Sequence, residues 1–220
     1  MTRVLRVDAF FDFICPWCLI GKRQLNRALT KLRASHPEIE LELVWHGVQL
    51  LPHLPAQGVP FVEFYQKRLG SAEAVRARQA QVRQAAAAVG LSIDFSSIKT
   101  MPNTADAHRL FECATELGSV AQRDALLEQL FAAYFHRGKD LADSATLLAI
   151  AESCGYPRAA LADCLLGAHC PFDDDGMGAR GVPYFIFNRR QVVSGAQPAE
   201  VLLQAMHQAL AQDVTGSQSA

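Results

Sequence analysis

The sequence lacks an excess of charge of either sign. Its 21 lysines and arginines and 22 aspartates and glutamates leave a formal net charge of −1 and are mixed along the chain. No basic stripe forms, so neither nucleic acid nor an anionic membrane is the implied partner. No uncharged run approaches the ~20 residues that cross a bilayer. No secretion signal is read either, because Arg6, Asp8 and Asp12 interrupt every apolar core that MTRVLRVDAFFDFI could offer. The expected location is the cytoplasm, where thiols are kept reduced and six cysteines do not imply a disulfide framework.

A second CxxC is missing too. A structural zinc site takes four ligands, and this chain offers one CxxC, with Cys164, His169 and Cys170 lacking the spacing of a zinc knuckle. No metal is expected. The run Asp173 to Asp175 lacks the spacing and terminal glutamate of a calcium loop and reads as a solvated loop.

What is present is an ordinary globular balance, half hydrophobic and a fifth charged, with periodic signals throughout. Residues 4 to 13 are rich in Val, Leu and Phe and run into Pro16, as a buried strand ending where a helix begins. Leu25, Ala28, Leu29 and Leu32 then recur at helical spacing, and that helix is expected to stop near His36 and Pro37. Ile39, Leu41, Leu43 and Trp45 alternate with polar residues as a second strand.

From about Phe61 to Ala168 every segment reads as helix. Gly70, Gly90, Gly118, Gly138, Gly155 and Gly167 fall just past the runs, where left-handed caps belong, and Asn103 in NTADAHRL is the expected cap of its helix. Strand pattern returns in VPYFIF, the turn NRR and QVVSG, a hairpin followed by the helix PAEVLLQAMHQAL. The tail after Gln212 is polar and expected to fray.

The chemistry sits in DFICPWC. The strand delivers Cys15 to a helix start, where free backbone N–H groups and the helix dipole favour a thiolate. A drop from about 8.5 to about 7 corresponds to roughly 2 kcal/mol of differential stabilisation. Cys15 is expected to be the exposed attacking thiol and Cys18, one turn on, the more buried and less acidic resolving thiol. Pro16 stiffens the turn. Trp17 either offers a surface to substrate or anchors the turn. GVP occurs at Gly58 to Pro60 and at Gly181 to Pro183. Only the second opens a strand, so Pro183 is the expected cis-proline beside the site.

A CxxC at a strand-to-helix turn, a helical insertion, and a late Val-Pro before a hairpin and final helix together resemble the thioredoxin fold as elaborated in DsbA-like proteins. DFICPWCLIGKRQL, NTADAHRL, LLEQLFAAYFHRGKDLAD and RGVPYFIFNRRQVVSGAQPAEVLLQAM resemble the FrnE branch of that family, related to the 2-hydroxychromene-2-carboxylate isomerases. The resemblance implies an α/β chain: a thioredoxin fold with a large all-helical insertion between the second and third strands. Residues 1–56 and 171–212 would form the thioredoxin-like domain, 57–170 the insertion, and 213–220 the frayed tail.

It further implies Cys15 as nucleophile, Cys18 as resolving cysteine, and Pro183 as cis-proline, with Val182 offering backbone hydrogen bonds to an extended substrate. His108 would line the cleft. The implied activity is protein thiol–disulfide oxidoreduction, acting on protein or small-molecule disulfides. No tightly bound cofactor is expected, and glutathione is a possible co-substrate. The alternative is a glutathione-dependent isomerase or transferase acting on an aromatic or polyketide-like molecule. Those relatives commonly carry serine at the first cysteine, whereas both thiols stand here. His46 occupies a position where relatives often have arginine. Cys113 and Cys154 fall in helical patterns and read as small packed hydrophobes, while Cys164 and Cys170 are the candidates for a second exchangeable pair.

Overall fold

In the computed structural model, residues 3–167, 172–173 and 181–216 are described. The chain divides into two compact units, Met1–Val48 with Gly176–Ala220, and Gln49–Asp175.

The first unit holds a four-stranded sheet in which Ile39–Gly47, Arg3–Phe11, Tyr184–Phe187 and Gln191–Ser194 lie side by side in that order. Its strands are β1 (Arg3–Phe11), β2 (Ile39–Gly47), β5 (Tyr184–Phe187) and β6 (Gln191–Ser194). The β1–β2 pair is parallel, joined through helix α1 (Pro16–Ser35), whereas β5 runs antiparallel to β1 and β6 antiparallel to β5. Alternation along β1 sorts its side chains between two faces. Leu5, Val7 and Ala9 join Leu25, Ala28, Leu29 and Leu32 of α1 and Leu202, Met206 and Ala209 of α8 (Ala199–Gly216) in one apolar cluster. Leu41, Leu43 and Trp45 pack on the same cluster, which explains the period-two signal of β2.

Asn188 and Arg189 both have positive φ, and Arg190 N–H donates to the Phe187 carbonyl at 3.0 Å. This is the turn that matches strand twist in a hairpin, and asparagine tolerates its first position. Helix α8 reaches Gly216, past the end expected at Gln212, and residues 217–220 of the expected tail lie outside the described residues.

The opposite face of β1 carries the charged Arg6 and Asp8 beside Phe10. Asp8, 7% exposed, receives the Arg6 guanidinium on both carboxylate oxygens and His46 Nε2 at 2.9 Å, while Phe10 stacks on the His46 ring at 4.5 Å. Burial pushes the Asp8 carboxyl up, but the hydrogen bonds from Arg6 and His46 outweigh it and hold the group below the usual range. A depressed folded-state pKa stabilises above the unfolded value and loses that contribution as pH falls through the folded one. Asp8→Asn is therefore expected to flatten the acid limb of stability below about pH 4, measured by urea unfolding at stepped pH. An unchanged acid limb would refute this role.

The second unit is mainly helical. It contains α2 (Phe61–Leu69), α3 (Ala72–Ala88), α4 (Ala105–Leu117), α5 (Val120–Phe135), α6 (Ser144–Ser153) and α7 (Arg158–Ala162). The sequence pattern missed a two-residue antiparallel ladder, β3 (Val59–Pro60) with β4 (Thr100–Met101), too short to carry a period. Leu126, Leu127, Leu130, Phe131, Tyr134 and Phe135 bury one side of α5, whose start is fixed by a Ser119–Gln122 capping box.

Two expectations about helix ends change. Gly118 ends α4 with φ −109, an ordinary value, so no left-handed cap forms there. Its reason is space, since a Cβ would collide with the Tyr156 ring. The cap of α4 is Thr104, and Asn103 lies one residue earlier.

Candidate functional site

The turn between β1 and α1 is built by Asp12. Its carbonyl accepts the Cys15 N–H at 3.1 Å and its Oδ1 accepts the Ile14 N–H at 3.4 Å, a local ring that ends the strand and turns the chain. Cys15 becomes the N-cap of α1 and Pro16 its first helical residue, where a missing N–H costs nothing. The Cys15 carbonyl then accepts from Cys18 N–H and Leu19 N–H.

Cys15 and Cys18 are both free thiols. Cys15 is 7% exposed, which corrects the expectation of an open thiol: the turn and the Val182 strand entry cover most of it. Its sulfur makes no capping bond to the helix. The thiol is turned instead toward the Val182 carbonyl at 3.7 Å. A protonated thiol is a donor, and a carbonyl satisfies it where backbone N–H groups would not.

Cys18 is 1% exposed and its thiol is pushed well above the ordinary cysteine value. Burial is the main cause, followed by the hydrogen bond and the charge of Cys15. A backbone hydrogen bond from Asp12 pulls the other way, and the Asp12 charge raises the value further. Asp12 is fully buried in the same turn. Sequence reading passed it over as an interruption of an apolar run. The signal that could have found it is an acid left inside AFFDFIC, where nothing but function or turn geometry favours one.

The Val182–Pro183 peptide bond is cis. Pro183 is buried and leads directly into β5. The proline is seated on α1 at Gly21, the helix residue one turn beyond Cys18 and a second position that sequence reading missed. A Cβ there would meet Pro183 Cγ at 3.0 Å and Phe185 Cζ at 3.3 Å. Gly21 thus lets the proline loop approach the helix that carries both thiols. Gly21→Val is expected to cost about 1–3 kcal/mol of stability by overpacking and to slow thiol exchange, read by urea unfolding and a glutathione disulfide assay. Full stability and rate would show that the loop has room to retreat.

Pro16 and Trp17 lie between the two cysteines and are partly exposed. Cys15, Cys18, Pro16, Trp17, Val182 and Pro183 all belong to the first unit. His108 belongs to the second, where it is buried on α4 and stacks on Phe172 at 4.9 Å. Its surroundings are those of a packed ring beside a polar hub. Within that hub Asn103 Oδ1 accepts from Gln49 Nε2 and from Ala105 N–H, Asn103 Nδ2 donates to the Leu54 carbonyl, and Gln49 Oε1 accepts from Phe172 N–H.

Cys164 forms a disulfide with Cys113. This corrects the expectation that Cys113 is a plain packed hydrophobe, and it gives Cys164 a different partner from the candidate Cys170. The cysteines lie 51 residues apart, but the fold of the second unit brings their Cα atoms to 6.7 Å, a separation pattern cannot foresee. Cys170 lies outside the described residues, as do Asp174 and Asp175. No group of three or more potential metal ligands occurs among the described residues.

The model of the DSBA-like thioredoxin domain matches residues 6–169. The chain therefore belongs to the DSBA-like thioredoxin family. Among solved structures it is similar to a probable DsbA oxidoreductase from Streptomyces coelicolor, with 29% identity over 93% of this chain and 89% of that one and a TM-score of 0.80. It also shares its fold with a 2-hydroxychromene-2-carboxylate isomerase, at 17% identity, TM-score 0.62, and coverage of 96% and 98%. A third likeness is to the cytosolic disulfide reductase DsbM from Pseudomonas aeruginosa with GSH, at 18% identity, TM-score 0.59, and coverage of 97% and 99%. These neighbours are consistent with the FrnE-like branch. No curated protein matches the chain.

Proposed function

We propose that the protein is a thiol–disulfide oxidoreductase working through the Cys15–Cys18 dithiol, with glutathione as co-substrate and the cytoplasm as its setting. The observation that carries this reading is the pair itself: two free thiols in the first turn of a helix, with the Cys15 thiol facing the carbonyl of Val182, the residue joined to Pro183 by a cis bond.

In the first step Cys15, as thiolate, attacks one sulfur of a substrate disulfide. The substrate S–S bond breaks, one substrate thiolate leaves and is protonated, and a Cys15–substrate mixed disulfide remains. Val182 can then hold an extended substrate by its backbone, since the carbonyl that meets the Cys15 thiol is released when the sulfur loses its proton. In the second step Cys18 gives up its proton and attacks the Cys15 sulfur. The second substrate thiolate leaves, and the Cys15–Cys18 disulfide carries the two electrons' worth of oxidation. Two glutathione thiols restore the dithiol and become glutathione disulfide.

The hydrogen bond and charge of Cys15 both raise the Cys18 pKa. Forming the mixed disulfide removes both, so Cys18 ionises more readily once it has something to resolve. The isomerase reading, which the fold likeness alone suggests, has no use for a second buried thiol.

The test is turnover of a disulfide-bonded peptide with glutathione as electron source. Catalysed reduction or oxidation of the peptide supports the proposal. No turnover, together with glutathione-dependent isomerisation of an aromatic substrate, would replace it.

A further inference from the structure

We propose that Cys113–Cys164 is a second, independent redox centre, a disulfide that small glutathione-class thiols open and close without unfolding the unit that holds it. The bond ties α4 to the residues just after α7, and both of its cysteines are partly exposed, so a small thiol can reach them.

The same two segments are held a second time by polar contacts. Asp106 Oδ1 accepts the Leu166 N–H at 2.9 Å and the Gly167 N–H at 3.0 Å, and Oδ2 shares the latter. Arg109 binds Asp106 Oδ1 and donates to the Gly167 carbonyl at 2.7 Å. This clamp lies seven and four residues before Cys113 on α4, so it faces the same partner segment along one helix side. Opening the disulfide therefore leaves the 164–167 segment attached to α4 through this clamp. Asp106 is buried, and a buried carboxylate that loses its donors is costly, which gives the clamp a reason to hold and a reason to re-form.

The chemistry balances as two exchanges. One thiolate attacks a sulfur of the pair, the Cys113–Cys164 bond breaks, and a mixed disulfide with the small thiol forms on one cysteine while the other leaves as thiolate and is protonated. A second small thiol then attacks the mixed disulfide. Both protein cysteines end as thiols and the two small thiols as one disulfide.

The test uses the full chain carrying Cys15→Ser and Cys18→Ser, and the wild-type chain beside it, equilibrated in graded glutathione buffers. Differential alkylation and peptide mass read each cysteine, and hydrogen exchange reads the amides. Cys113 and Cys164 are expected to titrate together, from below a tenth to above nine tenths reduced over about a hundredfold change in the glutathione ratio. The Leu166 and Gly167 amides should exchange at least about tenfold faster in the reduced state, with the buried amides of α5 unchanged.

Three results would overturn the proposal. The pair stays oxidised at every ratio, it fails to form in the most oxidising buffer, or it is reduced only together with loss of α5 protection. Cys15 and Cys18 are read in the same wild-type digest, so a failure of the dithiol mechanism is seen separately.

Discussion

Cys15→Ser is expected to lower thiol–disulfide turnover by on the order of 10³-fold or more while leaving the fold intact. A hydroxyl cannot form the mixed disulfide, and neither other free thiol among the described residues takes its place: Cys18 is more deeply buried, at 1% exposure, and Cys154 lies in the other unit. The serine hydroxyl can still donate to the Val182 carbonyl, so the turn keeps its contact. Turnover is measured with a disulfide peptide, and stability by urea unfolding. Activity within tenfold of wild type would mean that Cys15 is not the attacking group.

Cys18→Ser should have a different signature. Cys15 can still attack, so the first half-reaction proceeds, but nothing inside the chain releases the product. A Cys15–substrate mixed disulfide should accumulate to about one per protein, visible by intact mass, while multiple turnover falls on the order of a hundredfold or more. In the wild type the resolving step depends on the Cys18 thiolate, whose pKa is pushed up chiefly by burial. Below that pKa the resolving rate should rise about tenfold per pH unit, following the thiolate fraction. A Cys18→Ser protein with undiminished turnover and no trapped adduct would favour the monothiol, glutathione-dependent isomerase instead.

Much of this site could be read from residues. DFICPWC names both thiols, and the second GVP, opening a hairpin, names Pro183, because strand periodicity and turn chemistry are local signals. The sheet strands and the interior faces of α1 and β2 were legible for the same reason: Leu25, Leu29 and Leu32 against Leu41 and Leu43 repeat at the periods of their elements. What stayed hidden depends on contacts made across the sequence. Gly21 reads as a mild weakness in a helix until Pro183 arrives against it. Asp12 reads as an interruption until Cys18 folds back on it. Gly118 looks like a left-handed cap, yet it makes room for Tyr156. The Cys113–Cys164 bond joins two helical patterns that are unrelated until they pack. Cys15 reads as an open thiol because the Val182 carbonyl that meets it lies 167 residues away in the chain.

The measurement that tests the central claim most directly is the redox state of Cys15 and Cys18 after the purified protein is equilibrated against graded glutathione ratios, read by thiol trapping and peptide mass. The account predicts a reversible intramolecular Cys15–Cys18 disulfide that forms and disappears across the series. If no such disulfide forms at any ratio and glutathione is held without exchange, the dithiol mechanism is contradicted.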